Sequence, residues 1–388
     1  MEEWKEYKLG EICEILDSKR IPLSSMQRQN RQGNYPYYGA QGIIDYIDDY
    51  LFDGTYLLVA EDGNNVLAQK ENIAIIAKGK FWVNNHAHIL GYNGKCDLYL
   101  LGYILNSMDI SSYVTGTAQP KLNQQNLSNI PIILPSKDKQ SKIVSILKSL
   151  DDKIENNRKI NENLEQQALA LFKSWFVDFE PFRDQPFVES ELGMIPEGWR
   201  VDNLDNLCSF ISRGLSPKYK DNTDQWVLGQ TCVRNNIVTL TNARTHEPKA
   251  NTEKKVKQWD TLINSTGIGS LGRVGIVYFD KDNIAFDSHL TVVRSKDELY
   301  KHYIGRNLLM RQLEIENMAV GSTGQTDLPK ESVKTMQLIV PDKASVQRFN
   351  KIIEPIALRM YQTYDENNNL SHLRDTLLPK LMSGEIKL

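Results

Sequence analysis

The amino-acid sequence repeats itself, and this repeat restricts the fold more than any other feature of the chain. Near the start lie Trp4, Leu9, Ile12 and Cys13, and the same series returns 195 residues later as Trp199, Leu204, Leu207 and Cys208. Further along the offset is 206, where Val114, Gly116, Gln119, Leu122 and Pro135 correspond to Val320, Ser322, Gln325, Leu328 and Pro341. We therefore expect two similar units in tandem, an arrangement that lets one chain contact two partners at a fixed separation.

A long segment with helical periodicity follows the last proline of each copy. Apolar and amide residues recur at spacings of four and three, over residues 143–175 in the first copy and 349–377 in the second. So narrow a stripe is typical of a helix that pairs with another helix, and at 1.5 Å per residue the first stripe would extend about 50 Å. The residues expected to pair the helices are Leu147, Leu150, Ile154, Asn161, Leu164, Ile353, Ile356, Met360, Asn367 and Leu370.

The two helices can pair in either direction. Antiparallel pairing would place the two globes at opposite ends of a rod, related by an approximate twofold axis, and parallel pairing would place both at one end. Asn161 and Asn367 share one seam position. A buried asparagine there would fix the helix register, whereas an exposed one would only face solvent, and both interpretations stay open. Pro355 lies inside the second helix and predicts a kink or a late start.

The rest of the chain has mixed periodicity. Strands are expected over residues 56–60, 73–77, 88–90, 261–264, 274–279 and 290–294, and helices over residues 97–108 and 299–318. The fold class is therefore α+β, with two mixed α/β globes in tandem and two long helices pairing as an antiparallel coiled coil with an approximate internal twofold. The expected segments are 1–136 (first globe), 137–182 (first helix), 183–341 (second globe) and 342–388 (second helix).

Composition indicates an ordinary globular protein, which we expect in the cytoplasm without a membrane partner. Of 388 residues, 40% are hydrophobic and 24% charged, and neither a signal peptide nor an apolar run long enough for a membrane span is recognisable. The four cysteines and six histidines lack metal-type spacing, so no metal site is expected. The net charge of −3 does not by itself indicate a nucleic-acid partner. Of the two globes only the second is basic, since residues 200–341 hold 19 basic and 16 acidic side chains.

Several stretches resemble the specificity subunit of type I restriction-modification enzymes, and the resemblance covers essentially the whole chain. The strongest lie in the first long helix, at residues 150–154 (LDDKI), 157–161 (NRKIN), 164–168 (LEQQA) and 171–179 (LFKSWFVDF). Residues 192–199 (LGMIPEGW) and 373–384 (LRDTLLPKLMSG) are also characteristic. Together these stretches are far more specific than any short motif.

The resemblance implies a DNA-binding subunit with no catalysis of its own. In the family, each globe is a target-recognition domain that reads one half of a split double-stranded DNA target, and the paired helices set the gap. Two methyltransferase (M) subunits, which transfer a methyl group from S-adenosylmethionine to adenine N6, dock on the helices, and ATP-dependent restriction (R) subunits complete the complex. The chain itself would need no cofactor. Because the two globes differ in sequence, we expect an asymmetric bipartite target.

Polar loop residues are the candidates for DNA contacts, because Arg and Lys read guanine, Asn and Gln read adenine, and many donors bind phosphate. In the first globe these are Lys19, Arg20, Tyr37, Tyr38, Gln41, Asn64, Asn65, Gln119 and Lys121. In the second globe they are Arg213, Lys218, Gln230, Arg234, Asn235, Ser265, Thr266, Arg273, Gln325 and Thr326. Gln119 and Gln325 are the best candidates because they are equivalent in the repeat. The alternative for each residue is a loop side chain that only solvates or caps.

A glycine motif in the second globe invites a different interpretation. Gly267, Gly269 and Gly272 match the dinucleotide fingerprint, and Asp287 lies near its expected acidic position. That fingerprint needs a helix to begin at the glycines, whereas strand-like residues 273–279 follow them. We interpret the glycines as a tight loop that lets the backbone approach DNA. His86 and His289 fall at similar places in the two copies and are expected to be structural.

Two other functions remain open. The chain can be a coiled-coil adaptor whose globes bind proteins, which suits its ordinary charge, or the recognition subunit of another restriction architecture with a fused methylase-nuclease. The sequence has neither the Walker lysine motif of a motor nor the Asn/Asp-Pro-Pro-Tyr/Phe motif of an amino methyltransferase. Any such activity is therefore expected to come from partners.

Overall fold

The computed structural model describes residues 4–116, 119–247, 254–321 and 326–388, which fold into two compact units. The first unit comprises Met1–Glu155 with Asn368–Leu388, and the second comprises Asn156–Asn367. Each unit thus combines one globe with part of both long helices. The four segments expected from the sequence separate globes from helices instead, and that division stays a prediction. In the described ranges, no helix is both long and apolar enough to cross a membrane.

The first unit is a mixed α/β globe. Its elements in chain order are β1 (Lys5–Lys8), α1 (Leu9–Ile12), β2 (Cys13–Ile15), α2 (Ser25–Gln29), β3 (Gln32–Gly39), β4 (Gly42–Ile47), β5 (Phe52–Ala60), α3 (Asn64–Ala68), β6 (Ala74–Val83), β7 (Ala87–Tyr92), α4 (Leu98–Ser107), α5 (Gln124–Ser128), β8 (Pro131–Leu134) and the beginning of α6 (Lys137–Phe176). A six-stranded sheet has the order β2-β7-β5-β6-β3-β4, and β1 pairs with β8.

The core of the first unit lies between this sheet and α4. Leu57 and Leu90 of the sheet and Leu101 of α4 are buried in one apolar cluster. Leu147 of α6 and Leu381, close to the end of the chain, pack into the same cluster. Residues from the segment 368–388 therefore complete the core of the first globe.

The second unit contains the remaining elements. They are β9 (Phe187–Ser190), β10 (Gly193–Pro196), β11 (Arg200–Asn203), α7 (Leu204–Leu207), β12 (Cys208–Arg213), β13 (Trp226–Leu228), β14 (Val233–Arg234), β15 (Ile237–Val238), β16 (Arg244–Thr245), β17 (Thr261–Asn264), β18 (Val274–Ile276), β19 (Ile284–Phe286), β20 (Leu290–Ser295), α8 (Lys301–Met310), α9 (Gln312–Asn317), α10 (Lys330–Lys334), β21 (Gln337–Val340) and α11 (Lys343–Ser383). The sheets have the orders β12-β20-β17-β18-β15-β14, β16-β13-β19, β11-β21 and β10-β9.

The strand order reproduces the sequence repeat. β2, β7, β5 and β6 correspond to β12, β20, β17 and β18, and the β1–β8 pair corresponds to β11–β21. The register agrees, because Val59 lies opposite His88 where Ile263 lies opposite Thr291. The sheets differ beyond these strands, since the first unit adds β3 and β4 and the second adds β15 and β14.

One detail of the predicted helices is wrong, namely the continuity of the helix over residues 299–318. The helix expected over residues 299–318 is interrupted, because the Arg311 N–H bonds to the Leu308 carbonyl and this tight turn ends α8 before α9 begins. The first long helix ends at Phe176, and Phe179 takes a left-handed φ of 52°. The second runs from Lys343 to Ser383 through Pro355, so of the two alternatives expected at this proline the late start does not occur, and the kink stays a prediction.

The long helices pair antiparallel within each unit. In the first unit, Arg374 of α11 bonds Asp151 of α6 at 2.8 Å. In the second unit, Asn157 donates to Asn367 at 2.9 Å. Asn157 comes later along α6 than Asp151, whereas Asn367 comes earlier along α11 than Arg374. Residue numbers rise along one helix as they fall along the other, so the predicted α+β fold with an antiparallel coiled coil is confirmed.

Hydrogen-bonded polar residues occupy the middle of the helix seam. Besides the Asn157–Asn367 pair, the Thr363 hydroxyl donates to Asn161 at 2.6 Å. Asn157 and Thr363 are fully buried, and the repeat relates Asn157 to Thr363 and Asn161 to Asn367, so the two pairs are copies of each other. These contacts favour asparagines that fix the helix register over asparagines that only face solvent. A slip of either helix along the other would bury these polar groups without hydrogen-bond partners. Of the pairing residues, Leu147, Ile154, Ile353 and Met360 are buried and Leu150, Asn161, Leu164, Ile356, Asn367 and Leu370 are half-buried.

A buried ion pair joins α6 to the globe of the second unit. Arg306 of α8 is 1% exposed, and its guanidinium donates to the Glu165 carboxylate of α6 and, at 2.9 Å, to the Tyr278 hydroxyl. Burial alone would lower the pKa of Arg306, but Tyr278 and Glu165 raise it above its ordinary value, so the guanidinium stays charged.

Candidate nucleic-acid interface

A narrow loop at residues 115–121 forms part of one face of the first unit. Thr115 and Lys121 exchange two backbone hydrogen bonds of 2.8 Å and so close the base of the loop. Lys121 also bridges to Asp62, which follows strand β5. Gln119 is exposed in this loop, whose residues 117–118 lie outside the described ranges. The loop is therefore held at its base and presents polar side chains at its surface.

A charged network fixes this loop to the sheet beneath it. Glu61, whose side chain is only 10% exposed, accepts from Arg20 at 2.6 Å and pairs with Lys121 at 3.0 Å. Arg20 also donates to the Ala87 carbonyl at 2.9 Å. Arg20 was a candidate for DNA contact, but its donors are engaged in holding the loop base.

His88 extends the network into the core. Its Nδ1 is hydrogen-bonded to the Asp17 carboxylate at 2.5 Å and its Nε2 to the Leu122 carbonyl at 2.7 Å. Asp17, Glu61 and His88 have ligand atoms within 4.8 Å of one another. A metal ion among them would have to displace Arg20, which contacts both carboxylates. The arrangement therefore fits an ion-pair network better than a metal site.

Acid is expected to weaken the first unit through this network. Burial raises the pKa of both Asp17 and Glu61. For Asp17 the hydrogen bond and charge of His88 outweigh burial and hold the pKa below its ordinary 3.8. For Glu61 the hydrogen bonds from Arg20 and Lys121 do the same and hold the pKa below its ordinary 4.5. Such carboxylates stabilise the fold above their unfolded pKa, and this stabilisation is lost as pH falls through the folded pKa. In thermal unfolding of the full chain, Glu61→Gln should show a smaller loss between about pH 5 and pH 3 than the unsubstituted chain. Exposed Glu71→Gln should keep the full loss, and equal losses in all three proteins would contradict the assignment.

The second unit has an equivalent loop at residues 320–327. Val320 and Asp327 exchange backbone hydrogen bonds of 2.8 Å, and Asp327 bridges to Thr266, as Lys121 does to Asp62. Thr326 is exposed, and Gln325 lies outside the described residues. The two loops thus share one backbone frame at their bases.

The chemistry at the base of this second loop is different. Arg213 donates to the Asp327 carboxylate at 2.8 Å and to the Leu328 carbonyl at 2.6 Å. An acidic Asp327 occupies the place that basic Lys121 takes in the first unit. An arginine again holds the loop base, but here it does so directly, without a bridging glutamate.

Two histidines lie beside these loops at equivalent places. His86 bonds Asp62 at 2.7 Å, and His289 bonds the Thr266 hydroxyl at 2.8 Å. Their backbone N–H groups donate to Asn84 and Asp287 at 2.8 and 2.9 Å. Burial raises the pKa of Asp287, partly offset by the bond from His289. Both histidines order the turn that leads into β7 or β20, as expected for structural residues.

The glycines at 267, 269 and 272 form a tight loop between β17 and β18, as the sequence indicates. Ser270 and Leu271 donate to the Gly267 carbonyl at 3.1 and 2.9 Å, and no helix begins in residues 265–273. Gly267 has a φ of +101°, and a Cβ there would lie 2.4 Å from the Gln230 side chain. Only glycine fits at that position.

The predicted contact residues differ in how far they are exposed. Exposed residues are Lys19, Gln41, Asn64, Gln119, Lys121, Lys218, Arg234, Asn235, Arg273 and Thr326. Buried or half-buried residues are Arg20, Tyr37, Asn65, Arg213, Gln230, Ser265 and Thr266, and Tyr38 is half-buried against Phe81. DNA contact by any of these residues stays a prediction.

Sequence reasoning missed the acidic residues that position the loops and one exposed apolar residue. Glu61, Asp17 and Asp327 contact basic residues far away in the chain, so no local pattern marks them. Ile268 is 86% exposed on the glycine loop. The sequence signal that could have pointed to Ile268 is an isoleucine placed between two glycines in a polar loop.

Proteins of known family are similar to this chain. The family model described as "Type I restriction modification DNA specificity domain" matches residues 1–166. The MjaIX type I restriction enzyme specificity subunit of Methanocaldococcus jannaschii is 27% identical over 429 residues, covering 100% of this chain and 97% of that protein. The HindI specificity subunit of Haemophilus influenzae is 23% identical over 470 residues, covering 100% of both. The crystal structure of a type I restriction-modification S subunit from M. genitalium has 16% identity and a TM-score of 0.59, covers 98% of this chain and 96% of that one, and shares the fold.

Proposed function

We propose that this chain, which belongs to the family of type I restriction-modification specificity subunits, recognises a bipartite DNA sequence and reads one half of it with each globe. The pair of equivalent loops at residues 115–121 and 320–327 carries the proposal. Their bases share hydrogen bonds, but Lys121 in one is replaced by Asp327 in the other. One frame with exchanged side chains suits two sites that bind the same polymer but read different bases. The charge reversal supports an asymmetric target.

In this proposal the paired helices α6 and α11 set the gap between the half-sites and dock two methyltransferase subunits, with restriction and motor subunits completing the assembly. The chain contributes recognition and no catalytic step. S-adenosylmethionine and ATP are bound by the partner subunits, and the product is N6-methyladenine within the target. The hydrogen-bonded pairs at Asn157 and Asn161 support a fixed helix register, which a spacer of defined length requires.

The decisive experiment combines mapping with binding. Long-read mapping of modified adenines in cells that carry this chain and its methyltransferase should return one sequence with two different halves and a fixed gap. The purified complex should then prefer that duplex at roughly 150 mM salt and bind more weakly as salt rises. A palindromic target would contradict the asymmetry, and absence of sequence preference would favour the protein-binding adaptor instead.

Arg273→Ala is expected to weaken recognition of the second half-site only. Arg273 is exposed at the end of the glycine loop, where its guanidinium donates to the Gly269 carbonyl at 2.7 Å. Loss of one arginine contact to a base should cost about 1–3 kcal/mol of discrimination. Competition binding with duplexes altered in one half-site measures the effect. Arg183→Ala, at a side chain 68% exposed and outside both loops, is the control. Relaxed reading of the first half-site would reverse the assignment of globes to half-sites.

A further inference from the structure

The glycine that begins the turn after β5 has a counterpart in the turn after β17. Gly63 and Gly267 have φ values of +102° and +101°. The backbone carbonyl of each glycine accepts a 3.1 Å hydrogen bond from the N–H three residues later, which is that of Val66 after Gly63 and that of Ser270 after Gly267. Each glycine also follows the residue that bonds the surface histidine, Asp62 or Thr266. The residue after the glycine is therefore at an equivalent position in the two units.

This equivalent position is exposed in both units but differs in chemistry. It holds Asn64 in the first unit and Ile268 in the second. At 86%, Ile268 is the most exposed large apolar side chain in the described part of the protein. An amide in one globe and a branched hydrocarbon in the other is a difference that alters selectivity without altering the backbone.

Ile268 is exposed on a fixed turn rather than on a loose one. The turn is closed by the Gly272 N–H, which donates to the Asn264 carbonyl at 2.8 Å, and anchored by Leu271, which is 8% exposed. At Gly272 a Cβ would lie 2.7 Å from the Cβ of Glu316, so the turn packs tightly against α9. Its position is thus defined before any ligand binds.

We propose that this position reads a base in both globes, and that Ile268 contacts the C5-methyl group of a thymine in the major groove while Asn64 hydrogen-bonds an adenine edge. Apolar contact with thymine methyl and amide bonding to adenine are the base-reading chemistries of these two side chain types. The Gln230 side chain lies against Gly267, which directly precedes Ile268, and one branched aliphatic side chain is the size of partner that a single methyl group needs. The inference rests on the proposed function.

The test uses the full chain assembled with its methyltransferase subunits and the target found by mapping. Each thymine of the second half-site is replaced in turn by deoxyuridine, which lacks only the C5-methyl. One replacement should weaken binding about 3- to 10-fold, the range expected for one buried methyl. The same replacement should have no effect on the Ile268→Ala complex. In that double-mutant cycle the protein variant has already lost the contact that the thymine methyl makes. Leu313→Ala, at an exposed leucine of α9, should respond like the unsubstituted complex.

Several results would overturn the inference. These are a second half-site without thymine, deoxyuridine effects that persist in Ile268→Ala, or an Ile268→Ala loss that no deoxyuridine reproduces. A fluorescent base analogue that unstacks on binding, with no methyl dependence, would indicate a wedge between base pairs and also overturn it. In each case selective binding of the bipartite target would leave the proposed function standing, whereas a complex without sequence preference would refute the proposed function itself.

Discussion

Glu165→Ala is expected to lower the free energy of unfolding of the second unit by about 3–5 kcal/mol, the cost of leaving one partner of a buried ion pair alone. Arg306 is 1% exposed and would keep only the Tyr278 hydroxyl at 2.9 Å among the two partners described for its guanidinium. Urea unfolding followed by tryptophan fluorescence measures the loss, since Trp175 and Trp199 lie in the core cluster of this unit.

Two controls separate the charge from the truncation. Glu162→Ala removes an exposed glutamate from the same helix, one turn away, and should change stability by less than about 0.5 kcal/mol. Glu165→Ala combined with Arg306→Met should be less destabilising than Glu165→Ala alone, because no unpaired charge remains. If the double variant were the less stable one, the loss in the single variant would reflect packing and not electrostatics.

Lengthening both long helices by one heptad is expected to move methylation to a target with a longer gap. Seven residues inserted after Glu162 and seven after Tyr361 would lie opposite each other in the antiparallel pair, beyond the Asn161–Thr363 hydrogen bond. At 1.5 Å per residue they add about 10 Å, or roughly three base pairs at 3.4 Å each. A heptad preserves the seam, so pairing should survive. Mapping of modified adenines reads the new gap directly.

Insertion into α6 alone provides the matched comparison. It would leave the inserted residues without a partner and put the parts of the seam on either side of Glu162 out of register, so that Asn157 and Asn161 could keep their partners only if the rest of the seam lost its own. We expect this variant to lose methylation, whereas the doubly extended chain keeps it at the new gap. An unchanged gap in the doubly extended chain would refute the role of the helices as spacer.

The repeat, the long helices and the pairing seam could be predicted because they depend on local period and on spacing within the sequence. The interruption at Arg311 could not, because residues 299–318 keep helical composition across it. Proline at 355 did not delay the second long helix, which already begins at Lys343.

The candidate site was predictable at the level of loops but not of individual side chains. Tyr37 lies in a polar, glycine-containing stretch of sequence that predicts an exposed loop, yet it is fully buried and its hydroxyl is hydrogen-bonded to the Leu23 backbone. The sequence predicts that Arg213 is free to contact DNA. In the structure it donates a 2.8 Å hydrogen bond to Asp327, which is distant in sequence. Whether a polar residue faces solvent or another chain segment depends on contacts between distant parts of the sequence, which a single sequence does not reveal.

The first unit is assembled from both ends of the chain, since Leu378 and Leu381 belong to the cluster that holds Leu57 and Leu147. During synthesis the ribosome releases the first globe long before it makes residues 368–388. A nascent chain must therefore carry the apolar surface around Leu147 uncovered while the whole second globe is translated. Premature termination before residue 368 would leave that surface open to chaperones and proteases, so quality control would remove such truncated chains.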